Sequence, residues 1–197
     1  MLGYRSAKST QAAWYHAKKK TKRYREQRPE QVAEYLEQIR DIPAEQIAYV
    51  DEMGMDEFLY REYGWAQRGR PLFGKVSGRK FKRIGIVAAK MGKSIIAPLQ
   101  YDGTMDSSLF EAWFETRLLP CLAKNTVIVM DNASFHRKSR LNPLAQQAGV
   151  RLVFLPPYSP ELNPIEQFWA WLKRYLRKAL PFQAAFDDAV HCAFQAC

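Results

Sequence analysis

The chain has 197 residues, 47% hydrophobic and 25% charged, the balance of a soluble globular protein large enough to bury a core. No apolar run approaches the ~20 residues of a membrane span, and the start, Met1-Leu2-Gly3-Tyr4-Arg5, lacks the apolar core of a secretory leader, so a cytoplasmic protein is expected. The net charge of +10 is unevenly placed: residues 1–28 hold nine basic side chains against the single acid Glu26, a pattern suited to neutralising phosphates.

That first segment is polar and basic, densest at Lys18, Lys19, Lys20, Lys22 and Arg23, with Tyr4, Trp14, Tyr15 and Tyr24 interspersed. From Pro29 to Arg40, apolar Val32, Ala33, Tyr35, Leu36 and Ile39 recur at helical spacing, and Pro29 suits a first turn. Asp41-Ile42-Pro43 ends the helix, because a residue before proline is pushed out of the α region. Strands are predicted at Ile47–Asp51, Glu57–Arg61, Arg83–Ala89 and Ser94–Leu99, with links short enough for antiparallel hairpins. Glu52, Asp56 and Glu57 are assigned to the turn after the first strand.

A helix from Asp106 to Leu119 buries Leu109, Phe110, Trp113, Phe114, Leu118 and Leu119, with Asp106 as its cap and Pro120 as its stop. Strand Thr126–Met130, helix Lys138–Ala148, strand Arg151–Leu155 and a helix from Pro164 to about Leu180 follow. The expected architecture is an α/β sheet: antiparallel hairpins, then alternating helices and strands. Residues 1–45 form a basic linker and helix, and 46–197 the main domain. Cys121, Cys192 and Cys197 are odd in number without a Cys-x-x-Cys spacing, and His16, His136 and His191 are scattered, so no disulfide framework or zinc site is expected.

Three carboxylates stand out. Asp51 and Asp131 each close an apolar strand, and Glu166 opens a helix with 34 residues between it and Asp131. Singly, each has an ordinary explanation. Aspartates at strand ends form turns, and Asn163-Pro164-Ile165-Glu166 has the spacing of a capping box. Together, converging acids would repel unless a divalent cation offset them, and all-oxygen donors select Mg²⁺ or Mn²⁺. Asn132 and His136, just past Asp131, could orient a carboxylate or contact DNA, or simply stabilise their loop. Arg68 and Arg70, with Lys173, Arg174, Arg177 and Lys178 on the last helix, are candidate phosphate contacts.

The stretches Tyr49-Val50-Asp51-Glu52-Met53-Gly54, Tyr63–Gly69 and Met130-Asp131-Asn132-Ala133 to His136, and above all Leu155-Pro156-Pro157-Tyr158-Ser159-Pro160-Glu161-Leu162-Asn163-Pro164-Ile165-Glu166, resemble the bacterial IS630 transposases of the IS630/Tc1/mariner superfamily. The resemblance spans roughly residues 18 to 190. It implies an RNase H-like fold with a catalytic triad of Asp51, Asp131 and Glu166, two Mg²⁺ (or Mn²⁺) ions, and cut-and-paste transposition. The implied partner is double-stranded DNA, at terminal inverted repeats and a TA target, in the bacterial nucleoid. A second copy of the chain, and an upstream helix-turn-helix product or frameshift fusion, are further expected partners, since the family's helix-turn-helix region is reduced here to its basic end. A catalytically inert DNA-binding remnant and a standalone RNase H-like nuclease are the competing readings.

Overall fold

The computed structural model describes residues 24–56, 65–73, 83–180 and 186–195. Strand β1 (Ile47–Asp56) is the axis of a five-stranded sheet in the order β3-β2-β1-β4-β5. Strands β2 (Arg83–Met91) and β3 (Ser94–Asp102) run antiparallel in a meander on one side of it. Strands β4 (Val127–Met130) and β5 (Arg151–Phe154) run parallel to it on the other. This mixed sheet, hairpins first and crossovers after, is the architecture that the sequence predicts.

Helices cover both faces because β1 alternates apolar side chains to each. Ala48 and Val50 point to one side, where α2 (Ser107–Trp113) and α3 (Lys138–Ala148) bury Phe110, Trp113, Leu141 and Ala145 with them. Met53 and Met55 point to the other, against Ile165, Trp169, Leu172 and Leu176 of α4 (Ile165–Ala179) and against α5 (Phe186–Gln195). Also on that second face, α1 (Pro29–Ile39) lays Tyr35 over Ile47, Val127, Val129 and Val153. Each such large apolar side chain contributes about 1.5–3 kcal/mol on full burial.

Several boundaries differ from expectation. Strand β1 does not stop at Asp51 but continues to Asp56, so Glu52 and Asp56 lie in the strand and not in a turn. Its second half is paired to β2 through Asp56↔Arg83. The predicted strand at 57–61 lies outside the described residues. The helix expected over 106–119 is α-helical only to Trp113; Phe114–Leu118 widen to a π turn and Leu119–Cys121 tighten to a 3₁₀ turn around Pro120. Asp106 caps α2 as predicted, accepting from the Leu109 amide at 2.8 Å. Helix α5, which followed the last predicted element, was not anticipated.

Two glycines are dictated by geometry. Gly149 ends α3 in the left-handed conformation (φ 73°), and the Val150 amide returns to the Ala145 carbonyl at 3.0 Å. At Gly85 a Cβ would sit 2.1 Å from the Tyr101 ring lying across the strand. In β3 a bulge opposite Ala88 places Ala97 at φ 49°, and the Trp113 indole donates to its carbonyl at 2.7 Å, pinning the edge strand to α2.

Candidate active site

The sheet itself brings the two aspartates together. Strand β4 pairs with β1 at Ile47↔Val127, Ala48↔Ile128 and Tyr49↔Val129. One more pair of positions along that register lies Asp131 beside Asp51, with side chains on the same face as Tyr49 and Val129. The pairing with β4 ends there, while β1 continues against β2 alone. A crevice therefore opens beyond the carboxyl end of the parallel strand, the usual place for a site in such sheets. Asp51 was expected at a strand end; it is the fifth of ten strand residues, and what ends beside it is its neighbour.

Helix α4 supplies the third carboxylate. Its buried stripe of Ile165, Trp169, Leu172 and Leu176 seats it on Met53 and Met55, so its first turn falls at Asp51. There the Trp169 indole donates to Asp51 Oδ2 at 3.0 Å, and the Asn163 amide donates to the Val50 carbonyl at 3.3 Å. Because that contact requires an N–H donor, Asn163 Oδ1 is the free end, and it is buried without a protein partner. The anticipated capping box is absent: Pro164 occupies the cap position without a side-chain bond, and Asn163 is turned to the sheet instead. Glu166 is thereby left exposed at the mouth.

Asp51, Asp131, Asn132, Asn163 and Glu166 line one cavity of about 370 Å³, walled by Leu155 and the turn Pro156-Pro157-Tyr158-Ser159-Pro160. Tyr158 in that wall holds a left-handed backbone, φ 59°. The turn is braced from the chain's other end. Gln27 donates to Ser159 Oγ at 2.8 Å and to Glu161, and the Tyr24 ring stands 6.1 Å from that of Tyr158.

Charge in the cavity is unbalanced. Burial, then the carboxylates of Glu166 and Glu52, push the Asp51 carboxyl up to about 7; the Glu52 amide opposes this and Asp131 adds to it. Asp131 behaves oppositely. Burial would raise it, but hydrogen bonds from His136 and the Ala133 amide hold it below the usual carboxylate range. Its Oδ1 accepts from Ala133 N at 3.0 Å and lies 3.1 Å from His136 Nδ1, which also reaches the Asp131 backbone carbonyl at 3.3 Å. His136 is itself buried, which disfavours its charge, yet its bonds to Asp131 and Glu52 raise it to about 9.

The predicted site residues among the described ones thus have definite places. Asp51, Asp131 and Glu166 share one cavity, Asn132 lines it, and His136 stands behind Asp131 in the core. Arg68 and Arg70 are exposed on the 65–73 segment; Arg174 and Arg177 are exposed and Lys173 is half-buried on α4. Lys18, Lys19, Lys20, Lys22 and Arg23 lie outside the described residues. Sequence reasoning missed Trp169, absorbed into an apolar stripe, and Glu52, set aside as a turn residue although Met53 and Met55 continue the strand's alternation.

Among the described residues no three Asp, Glu, His or Cys side chains stand close enough together to hold one ion as they are. The donor set nevertheless fits a hard divalent cation. It offers carboxylates from three elements and one unpaired buried amide oxygen, with an excess of negative charge that keeps Asp51 from ionising readily. No described helix is long and apolar enough to cross a membrane.

Known proteins resemble this chain in sequence and in fold. The chain is 32% identical over 68 residues to the uncharacterised protein y4pE/y4sA of Sinorhizobium fredii, covering 34% of this chain and 48% of that one. It is 36% identical over 76 residues to the Tc1 transposase of Caenorhabditis elegans, covering 36% of this chain and 28% of that protein. Its fold superposes on the Mos1 transposase paired-end complex with left transposon end at a TM-score of 0.60 and 12% identity, covering 94% of this chain and 65% of that one. The Mos1 mariner paired end complex with Mn matches at 0.59 and 14%, covering the same shares of the two chains. The chain thus spans less than two thirds of each of these proteins. The family description "DDE superfamily endonuclease" matches residues 46–187. With that match over most of its length, the chain belongs to the DDE superfamily endonucleases.

Proposed function

We propose that this chain carries the catalytic centre of an insertion-sequence transposase, cutting DNA and joining strands, with Asp51, Asp131 and Glu166 as the catalytic acids. The observation that carries the reading is their delivery into one cavity by β1, the end of β4 and the start of α4. The three would hold Mg²⁺ or Mn²⁺, as a pair of ions. Bound there, divalent cations would supply Lewis acidity at the scissile phosphate and at the attacking and leaving oxygens.

The chain's own groups do the rest. Trp169 holds one oxygen of Asp51, and His136 with Ala133 hold one oxygen of Asp131, so two carboxylates enter the cavity in set orientations. Glu166, exposed on a helix start, can follow the substrate between successive steps. Cleavage is an in-line displacement. Water, or a 3′-hydroxyl in the joining step, gives up a proton to solvent as it forms the new P–O bond; the 3′ oxygen of the broken bond leaves and is protonated from solvent. No covalent protein intermediate is required, and among the described residues no serine or cysteine of the cavity is paired with a base.

The substrate in this reading is double-stranded DNA at terminal inverted repeats, with insertion at TA, and a second copy of the chain and an upstream helix-turn-helix product as partners. The relatives' names and the DNA in the Mos1 assemblies support it. The test is cleavage of plasmid DNA carrying the element's ends with Mg²⁺ or Mn²⁺. Asp131→Asn and Glu166→Gln should each reduce cleavage at least 100-fold with the fold retained by circular dichroism, on the order of losses when charge-stabilising groups are removed. Cleavage retained in either variant removes that residue from the triad.

A further inference from the structure

Consecutive residues of a strand face opposite sides of the sheet, and β1 uses this at its two adjacent acids. Asp51 faces α4 and the cavity, and Glu52 faces the α2/α3 layer. Beneath that layer Glu52 Oε1 meets His136 Nε2 at 3.1 Å, and the other ring nitrogen, Nδ1, lies 3.1 Å from Asp131 Oδ1. The imidazole is closely confined. Its side chain is 1% exposed, and the rings of Phe110 and Phe135 stand 4.2 and 4.4 Å from it. Bonds at both nitrogens and aromatic rings against it leave the ring one orientation.

We propose that Glu52 is a positioning residue for the acid centre: acting through His136, it clamps Asp131 Oδ1 to the protein so that Oδ2 is the oxygen presented to the cavity. The inference rests on the reading of Asp131 as a metal-holding carboxylate. Nothing in the triad assignment requires it, since Glu52 itself does not line the cavity. Three facts converge on it. Oδ1 of Asp131 already accepts from Ala133 and faces His136 Nδ1, which it shares with the Asp131 backbone carbonyl, so it has little capacity left for another ligand. The ring that binds it cannot turn away without losing Glu52. And Glu52 is rooted in the same strand as Asp51, one residue on, so the two aspartates are held in register by neighbouring positions of one rigid element. Partners behind a metal ligand of this kind typically change metal affinity by about 10- to 100-fold when removed.

The experiment measures Mn²⁺ binding by electron paramagnetic resonance on the DNA-free protein, with no turnover involved, alongside thermal melting. Wild type should bind Mn²⁺, and Asp131→Asn should lose most of that affinity. Glu52→Ala should weaken binding about tenfold. Glu52→Gln, whose amide can still bond Nε2 and leave Nδ1–H on Asp131, should stay within about threefold of wild type. Glu52→Ala binding as tightly as wild type overturns the positioning role while leaving the triad intact. If wild type binds no Mn²⁺, or Asp131→Asn binds it equally, the triad reading fails first.

Should Glu52→Ala melt below the assay temperature, the wild-type protein supplies the answer through nitrogen-15 NMR of its histidines. Saturating Mg²⁺ should shift the His136 Nδ1 resonance, with His191, far along the chain on α5, as the internal control. A His136 signal unmoved at saturation overturns the clamp.

Discussion

Asp51 is the residue at which the site's electrostatics weigh on the fold. In water an aspartate ionises near 3.8; here burial and the neighbouring acids Glu166, Glu52 and Asp131 push it to about 7. The folded state therefore binds this proton more tightly than the unfolded chain does. Between about pH 4 and 7 the folded protein holds more protons, so stability falls as pH rises through that window and stays lower above it. Asparagine has nearly the same shape, carries no charge, and keeps an oxygen for the Trp169 indole. In the absence of divalent metal, Asp51→Asn should thus melt a few degrees above wild type at pH 8 and close to it at pH 5, since about 1 kcal/mol moves the midpoint by about 2–4 °C in a chain of this size. Melting curves in chelator at the two pH values decide it. Equal midpoints at pH 8 would mean that the cavity does not burden Asp51 with uncompensated charge. A residue's charge state of this kind was beyond the sequence, because it depends on Glu166, which is distant in the chain and adjacent only in the fold.

Among the elements, α4 does the most for the site, and it shows why some features could be read in advance and others not. Its apolar stripe was evident from 3.6-residue spacing, as was that of α1, while β4 and β5 were evident as short apolar runs. Placement at strand ends and a helix start made Asp51, Asp131 and Glu166 candidates, and the resemblance to the IS630 transposases made them a group. What the spacing concealed was the use of each residue's polar end. Trp169 belongs to the stripe by its rings, yet its N–H holds Asp51. Asn163 has the sequence of a cap, yet the sheet's Val50 carbonyl takes its amide. Strand β1 was cut short because its acids, Asp51, Glu52 and Asp56, look like turn residues, whereas β2 pairs with the strand throughout. Likewise α2 followed one helical period to Leu119, while the chain widens at Phe114 ahead of Pro120. The Trp169–Asp51 bond gives a prediction at this level. Trp169→Phe should cost about 1.5–3 kcal/mol at pH 8, the range for a hydrogen bond to a charged group. In the Asp51→Asn background the same change should cost less by about 1 kcal/mol, as a double-mutant cycle isolates the pair. Additive losses in denaturant titrations would show that Trp169 serves only packing.

Across the whole molecule, charge is segregated in a way that matches a polyanionic substrate. The cavity holding Asp51, Asp131 and Glu166 is acidic, while the excess positive charge is concentrated in residues 1–28 and recurs along the outer side of α4. Tyr24 and Gln27, the residues that follow the basic run, are held against Tyr158, Ser159 and Glu161 at the rim of the cavity. Helix α4 carries Lys173, Arg174 and Lys178 about two to three turns beyond Glu166. A duplex entering the cavity would have cations on its flanks and acids at its reacting phosphate. Each flanking cation that meets a phosphate releases condensed counterions, adding about 0.9 to the slope of log affinity against log salt. Replacing Lys173, Arg174 and Lys178 together with glutamine should then flatten that slope by up to about 2.7, measured by fluorescence anisotropy on a double-stranded oligonucleotide across a salt series. Because these side chains lie off the buried stripe, the melting temperature should hold. A slope equal to wild type would mean that α4 faces solvent in the complex, and would leave the N-terminal basic run as the principal source of phosphate neutralisation.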